Sequence, residues 1–409
     1  MFASLVAAAA GTLVIVGGAL DPGNDAIFDA LIGAIPGADA TIAVIPAASA
    51  VPATSAQGFA DDLMRHGIAA NRIVTVRIAT QDDPATPDVD EAQWRSNAGD
   101  PGEIARIEHA GAIWFMGSDQ ARIVATLVAK DGSDSPMLAA IRKRLGAGAV
   151  VGGSSAGAAI MSVPMMLQGD SIGALLPAPS GERLQMGAGL GFFAAGLVDQ
   201  HFNTRARLGR LSIALSMLPT DRRLGYGIDE DTALVVDLTH GTARAIGTGY
   251  VTLLDGRGAT FNGGKRLSMD GLVIGVASGG DTIDLRDQSI IPAPYKNPTV
   301  GHEQVDRPQP DDGGLAVAWD AAPAVIGESL IDNRGATRID RLSFSGSKGV
   351  VYRFAKLASS RGWRGRDHQG TIRYTVQGIR LSILPVDVVV KGEKTRVGNR
   401  LGTVPTPKP

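Results

Sequence analysis

The first three-quarters of the chain alternates short, uninterrupted apolar runs with stretches of helical spacing. Residues 12–16 (TLVIV) are apolar on consecutive positions and stop at Gly17-Gly18. Over residues 24–35, Ile27, Leu31 and Ile35 recur on one face of a helix. Residues 41–46 (TIAVIP), 72–78 (RIVTVRI), 112–116 (AIWFM) and 149–152 (AVVG) repeat the strand pattern, and a helical stretch ending at His66 follows the first of them. Strands without apolar/polar alternation are covered on both faces, and strands interleaved with helices pair in parallel. The pattern therefore predicts an α/β fold, a three-layer, doubly wound, mostly parallel sheet. Such sheets bind ligands at the carboxyl ends of their strands, where the loops after Val16, Met116 and Val151 should gather. The polar, proline-rich stretch 79–102 is long enough for a loop beside a binding cleft.

Beyond Leu224 the runs shorten and become hairpin-like (TALVVDL, GYVTLLDG, GLVIGVA), which predicts an antiparallel edge to the same sheet. Residues 288–314 hold five prolines and little periodicity and read as a linker. In 371–377, Ile372, Tyr374 and Val376 alternate with Arg373, Thr375 and Gln377, a period of two. The expected organisation is a catalytic α/β domain over 11–287, the linker, and a small β-rich appendage over 315–409. Residues 5–10 (LVAAAA) resemble the end of a signal-peptide apolar region, although no Lys or Arg precedes them. Residues 1–10 are accordingly expected to be a signal remnant or disordered, with an exported and a cytoplasmic protein both open.

Composition narrows the function classes. Hydrophobic residues make up 44% and charged residues 20%, as in a globular protein with a sizeable core. A net charge of −2 carries no electrostatic footprint for nucleic acid or an anionic membrane. There is no cysteine, which excludes disulfides, a thiol nucleophile and thiolate-bound metal. Outside the N-terminal run, no segment has the apolar length of a membrane span.

The sharpest local signal is Gly153-Ser154-Ser155-Ala156-Gly157, directly after the strand AVVG and before an apolar stretch. In a G-x-S-x-G turn from strand to helix, the central serine takes strained dihedrals that raise its hydroxyl above the sheet. Small residues two before and two after let the chain pass close to itself. The following amide, here that of Ala156, can then face a developing oxyanion. Without chemistry, the same sequence is a glycine-rich turn or a phosphate cradle. A serine nucleophile needs a general base, usually histidine, and the base needs an acid to fix its tautomer. Of six histidines, His66, His109 and His240 sit in polar or turn-like settings, His302 in the linker and His368 in the tail. His201 ends an apolar stretch, GFFAAGLVDQHF, where a strand should reach the carboxyl edge. The acid stays open among Asp229, Glu230 and Asp231: in an extended chain the two aspartates share one face and Glu230 takes the other.

These segments together resemble the cyanophycinases and, more distantly, peptidase E, serine peptidases with a class I glutamine amidotransferase-like fold. The resemblance rests on LVIVGGALD (13–21), AVIPAAS (43–49), IWFMGSDQ (113–120), GGSSAGAAIMS (152–162), VDQHFNTRARLGRL (198–211), GYGIDEDTALVV (225–236) and GLVIGVASGGDTIDL (271–285). It implies a Ser155-His201-Glu230 triad and an oxyanion hole from the Ala156 amide and a backbone amide of the Gly117-Ser118 turn. It also implies a substrate pocket carried over to Gln120, Ser154, Arg207 and Arg210, no metal or organic cofactor, and a homodimer. Arg207 and Arg210 lie one turn apart, so they share a helix face from which to grip a substrate carboxylate. The implied substrate is cyanophycin, an aspartate backbone bearing arginine side chains, cut to β-aspartyl-arginine dipeptides. The sequence departs from the family at Ser118, where a second glycine is expected, and at Ser154, where a threonine is.

Other readings are an aspartyl or isoaspartyl dipeptidase of the same chemistry, a lipase or esterase, and a non-catalytic binding protein that keeps the fold. Lipases and esterases place the acid before the histidine and often carry an HGGG loop, and this chain does neither.

Overall fold

In the computed structural model, residues 11–176, 181–263, 267–309, 312–314 and 322–389 are described. The expectation for residues 1–10 lies outside them.

Thr12–Val16 forms the central strand of a nine-stranded sheet, and its side chains show why it reads as continuously apolar. Leu13 and Ile15 pack into one core, whereas Val14 and Val16 pack into another on the opposite face. Both faces are therefore buried, and a period of two would have left one of them wet. The spatial order is Ile290–Ile291, Thr282–Asp284, Thr242–Gly247, Thr232–Asp237, Thr12–Val16, Val150–Ser154, Ala110–Phe115, Thr41–Ile45 and Ile73–Thr75. The last five of these strands run parallel, and the first four join antiparallel. The layer is α/β as expected, with a mixed rather than mostly parallel sheet. Helices Asp25–Gly33 and Pro52–Arg65 cover one face through Ile27, Phe28, Leu31, Phe59 and Leu63. The first helix stops before Ile35, and the Asn24 side chain caps it by accepting from the Ile27 amide.

The second half departs from expectation. Only residues 232–247 of the hairpin-like region edge the first sheet. Tyr250–Asp255 and Ser268–Ser278 leave it and pair with each other in a second sheet. The path through this sheet runs Asp312–Gly313, Arg338–Ser345, Lys348–Arg366, Ile372–Asp387, Ser268–Ser278, Tyr250–Asp255, Leu224–Ile228 and Leu197–Asp199. The C-terminal β-rich region is thus continuous with the strands that precede it: Ile372–Asp387 pairs with Ser268–Ser278 from Ile383↔Met269 to Val376↔Val276. Val276, Ile379, Leu381 and Ile383 share one core with Phe202, Leu208 and Leu211 of the segment after His201. The stretch read as a linker is pinned too, for Asn297–Pro298 pairs with Lys348–Arg366 and Lys296 is buried.

The two sheets meet in one short connection. Leu224–Ile228 belongs to the second sheet and Thr232–Asp237 to the first, so Asp229, Glu230 and Asp231 bridge them. Residues 79–102 are held by their own polar groups. Asp83 accepts from the Thr54 and Ala85 amides, and Glu91 accepts from the Asp83 amide and the Thr86 hydroxyl. No helix among the described residues is long and apolar enough to cross a membrane.

Candidate active site

The Val150–Ser154 strand ends against its neighbours so tightly that only glycine fits on either side of the turn. A Cβ at Gly153 would sit 2.8 Å from the Gly157 Cα, and one at Gly157 would sit 2.3 Å from the Phe115 carbonyl oxygen. Between them Ser155 takes φ 56°, ψ −107°, a left-handed conformation that costs a non-glycine residue about 1–3 kcal/mol. That strain holds its hydroxyl at the rim, above the short helix Ala156–Ala159.

His201 reaches the same point from the second sheet. It follows the Leu197–Asp199 strand, with φ 47°. Its Nε2 lies 2.8 Å from Ser155 Oγ and its Nδ1 lies 2.6 Å from Glu230 Oε1. Hydroxyl, imidazole and carboxylate therefore form one continuous hydrogen-bonded line. The three carboxylates of the bridge separate by partner. Glu230 takes the imidazole, Asp229 takes Asn203 and the Tyr250 amide, and Asp231 takes Asn24, the Asp21 amide and the Thr248 hydroxyl. Asp231 has φ 50°, so the chain turns sharply between these destinations.

The exit of the central strand ties the three groups together. The Val16 carbonyl accepts from the Ser155 amide at 3.1 Å, the Gly17 carbonyl from the His201 amide at 2.6 Å, and the Gly18 carbonyl from the Asp231 amide at 2.8 Å. A side chain at Gly18 (φ 111°) would meet the imidazole, since its Cβ would lie 2.2 Å from His201 Cε1. The glycine pair was visible in the sequence, but its role as the histidine's bed depends on a contact between residues 183 positions apart.

Burial lowers the His201 pKa, the Glu230 hydrogen bond opposes that, and Arg205 and Arg207 add to the lowering. The imidazole is thus neutral near pH 7, as a proton acceptor must be. Opposite it, the backbone of Gly117 approaches Ser155: a Cβ on Gly117 would lie 3.2 Å from Ser155 Cβ. Ser118 has φ 121°, and the Gly117, Ser118 and Ala156 amides find no acceptor among the described residues.

The four residues expected in the substrate pocket fare differently. Ser154 is half-buried at the strand end beside the hydroxyl. Gln120 is buried, and its amide nitrogen donates to the Met166 and Leu167 carbonyls, at 2.9 and 2.5 Å. Arg207 and Arg210 do share a face, but that face is turned inward. Arg210 binds the buried Asp199 through two nitrogens, at 3.0 and 2.5 Å, and donates to the Gly169 carbonyl at 2.7 Å. Arg207 bonds the Gln200 carbonyl and side chain and lies 3.6 Å from Asp199, and burial brings its pKa down to about 10. Both guanidinium groups are therefore spent on the protein. Arg205, which the sequence did not single out, is exposed on the same segment; its amide donates to the His201 carbonyl at 3.1 Å, and its side chain makes no hydrogen bond or ion pair among the described residues. Its signal was present in the spacing Arg205-x-Arg207-x-x-Arg210. Among the described residues, no group of three or more His, Asp or Glu is placed to hold a metal ion.

The model of Peptidase family S51 matches residues 13–243. The chain belongs to this family. The match takes in the Ser155 turn, His201 and Glu230, and membership makes the protein a serine-type peptidase. A cyanophycinase from Synechococcus elongatus is 32% identical over 261 residues, spanning 62% of this chain and 72% of the relative. A cyanophycinase from Geminocystis herdmanii is 34% identical over 240 residues, spanning 58% and 78%. The crystal structure of a peptidase from an acI-B1 Actinobacterium covers 68% of this chain and 98% of its own, at 20% identity and a TM-score of 0.48.

Proposed function

We propose that the protein hydrolyses cyanophycin, or β-aspartyl peptides related to it, through an acyl-enzyme on Ser155. The observation that carries the reading is the unbroken line from Ser155 Oγ through His201 to Glu230. His201 Nε2 takes the hydroxyl proton as Ser155 attacks the scissile carbonyl, and Glu230 holds Nδ1–H and balances the imidazolium. The oxyanion falls to the Ala156 amide and an amide of the Gly117-Ser118 turn. The leaving amine takes the proton from the imidazolium. Water, activated by the same nitrogen, then attacks the ester and frees Ser155. No step calls on a metal or an organic cofactor.

Substrate recognition centres on the exposed Arg205, with Ser154 at its strand end and the Gln120 side-chain oxygen at the start of the Gln120–Leu127 helix. Arg207 and Arg210 serve by holding Asp199 and Gln200, the two residues before the base. A class I glutamine amidotransferase-like arrangement fits the five parallel strands with the nucleophile at their carboxyl rim. A homodimer is expected by analogy with the family.

The cyanophycinase identity of the relatives favours the polymer over short peptides. The test is incubation of the purified protein with cyanophycin and with a panel of aspartyl and β-aspartyl dipeptides, followed by mass analysis. Release of β-aspartyl-arginine supports the proposal, whereas cleavage of dipeptides with intact polymer makes it an isoaspartyl dipeptidase. No hydrolysis of either, with no serine adduct, would leave a binding protein.

A further inference from the structure

We propose that Asp229 and Asn203 are a positioning pair that sets the distance between the base and its acid. The inference rests on the Ser155-His201-Glu230 reading and adds two residues which do not touch the substrate. His201 has to stand in a left-handed conformation, and Glu230 sits in a three-residue bridge between sheets, so neither is fixed by regular secondary structure. What fixes them is a clamp one residue before the acid and two after the base. Asp229 Oδ1 accepts from the Asn203 amide at 3.0 Å and from Asn203 Nδ2 at 2.8 Å. Oδ2 accepts from Nδ2 at 2.9 Å and from the Tyr250 amide at 3.0 Å. The Phe202 amide adds a bond to the Ile228 carbonyl at 3.1 Å, so two successive residues after the base are laced to the two residues before the acid.

Several features mark this as more than a buried polar pair. Every partner of the Asp229 carboxylate is a donor, so the site is built for an anion although Glu230 carries another negative charge next door. Burial pushes the Asp229 carboxyl up to about 6, against the pull of those donors. Gly249 lies so close that a Cβ there would stand 2.6 Å from Asp229 Cβ and 3.0 Å from its Oδ2, so only glycine fits beside the carboxylate. The clamp ties the segment that leaves the imidazole to the segment that enters the carboxylate. Loosening it should misplace the base by a fraction of an ångström while the substrate groove stays as it is.

The experiment is steady-state kinetics with cyanophycin on Asp229→Asn, Asn203→Ala and the exchanged pair Asn203→Asp/Asp229→Asn, alongside thermal melts and the rate of Ser155 modification by a fluorophosphonate. Asp229→Asn keeps the shape but turns an amide NH₂ toward donors. A misplacement of this size costs on the order of 10–10² in kcat, with KM changed by less than about twofold and labelling slowed in proportion. The exchanged pair restores the side-chain donor–acceptor match but leaves one backbone N–H facing an amide NH₂, so its kcat should recover part of the loss. Asp229→Asn turnover and labelling both within about twofold of the parent protein would overturn the proposal. So would a loss of kcat and labelling that disappears once the assay is run well below each variant's melting temperature, since the residues would then be structural only. A Ser155→Ala protein that still hydrolyses the polymer refutes the underlying triad instead, a result separate from either outcome for Asp229.

Discussion

Two serines in this protein sit beside a basic side chain at nearly the same distance, and the proposed mechanism uses only one. Ser155 Oγ is 2.8 Å from His201 Nε2, and Ser278 Oγ is 2.7 Å from Lys296 Nζ. Ser278 and Lys296 are wholly buried where the two halves of the chain meet. The hydroxyl donates to the Tyr374 carbonyl, while the ammonium is also held by Asp281 at 2.6 Å and Thr375 at 2.9 Å. Ser278 ends the Ser268–Ser278 strand and is fully buried. Ser155 is strained, half-buried at the rim and faced by unsatisfied amides. Distance to a base is therefore a weak criterion for a nucleophile. Access and backbone strain separate the two sites, and under the proposed mechanism the same hydrogen-bond length serves chemistry in one and cohesion in the other.

The largest expected effect that would break this contrast is on Ser155 itself. Ser155→Ala should lower kcat by roughly 10⁴–10⁶ with the melting temperature nearly unchanged. Ser278→Ala should leave kcat within about twofold and lower only stability, by the ~1–3 kcal/mol of a buried polar group left unpaired. Glu230→Gln keeps the shape but loses the charge that steadies the imidazolium, and kcat should fall by about 10²–10⁴. On the cohesive side, Lys296→Met strands the Asp281 carboxylate in the interior. Denaturant titration should show a loss of about 3–5 kcal/mol, the usual consequence of breaking a buried pair on one side.

The smallest effect is a shift in pH dependence. His201 is held below its ordinary value by burial, and the proposed mechanism needs its neutral form. Activity is then full above that pKa and lost as pH falls through it, so the acid limb of kcat/KM should have its midpoint below about 6.5. Glu230 is the group that holds a proton on the imidazole, so Glu230→Gln should carry the residual activity's limb lower still.

How much of this was legible in the sequence follows the range of the interactions. The strands at 12–16, 41–45, 110–115 and 150–154 were readable because burial on both faces writes an unbroken apolar run into each. The Ser155 turn was readable because its constraint is local, set by Gly153 and Gly157. The second sheet was not, since its pairing of Ser268–Ser278 with Ile372–Asp387 joins segments about a hundred residues apart, and nothing in either run names its partner. The arginines show the same limit. Helical spacing correctly placed Arg207 and Arg210 on one face, but which way that face turns depends on the buried Asp199, and only Arg205 was left outside. The acid among residues 229–231 could not be settled by alternation, because the bridge is not extended: Asp231 has a left-handed backbone, and each carboxylate leaves toward a different element.

The most direct test of the central claim is to treat the native protein with a fluorophosphonate and locate the adduct by peptide mass mapping. A single adduct on Ser155, lost in His201→Ala and slowed in Glu230→Gln, is what the geometry predicts. An adduct on another serine, or labelling of Ser155 at an unchanged rate without the imidazole, would contradict it.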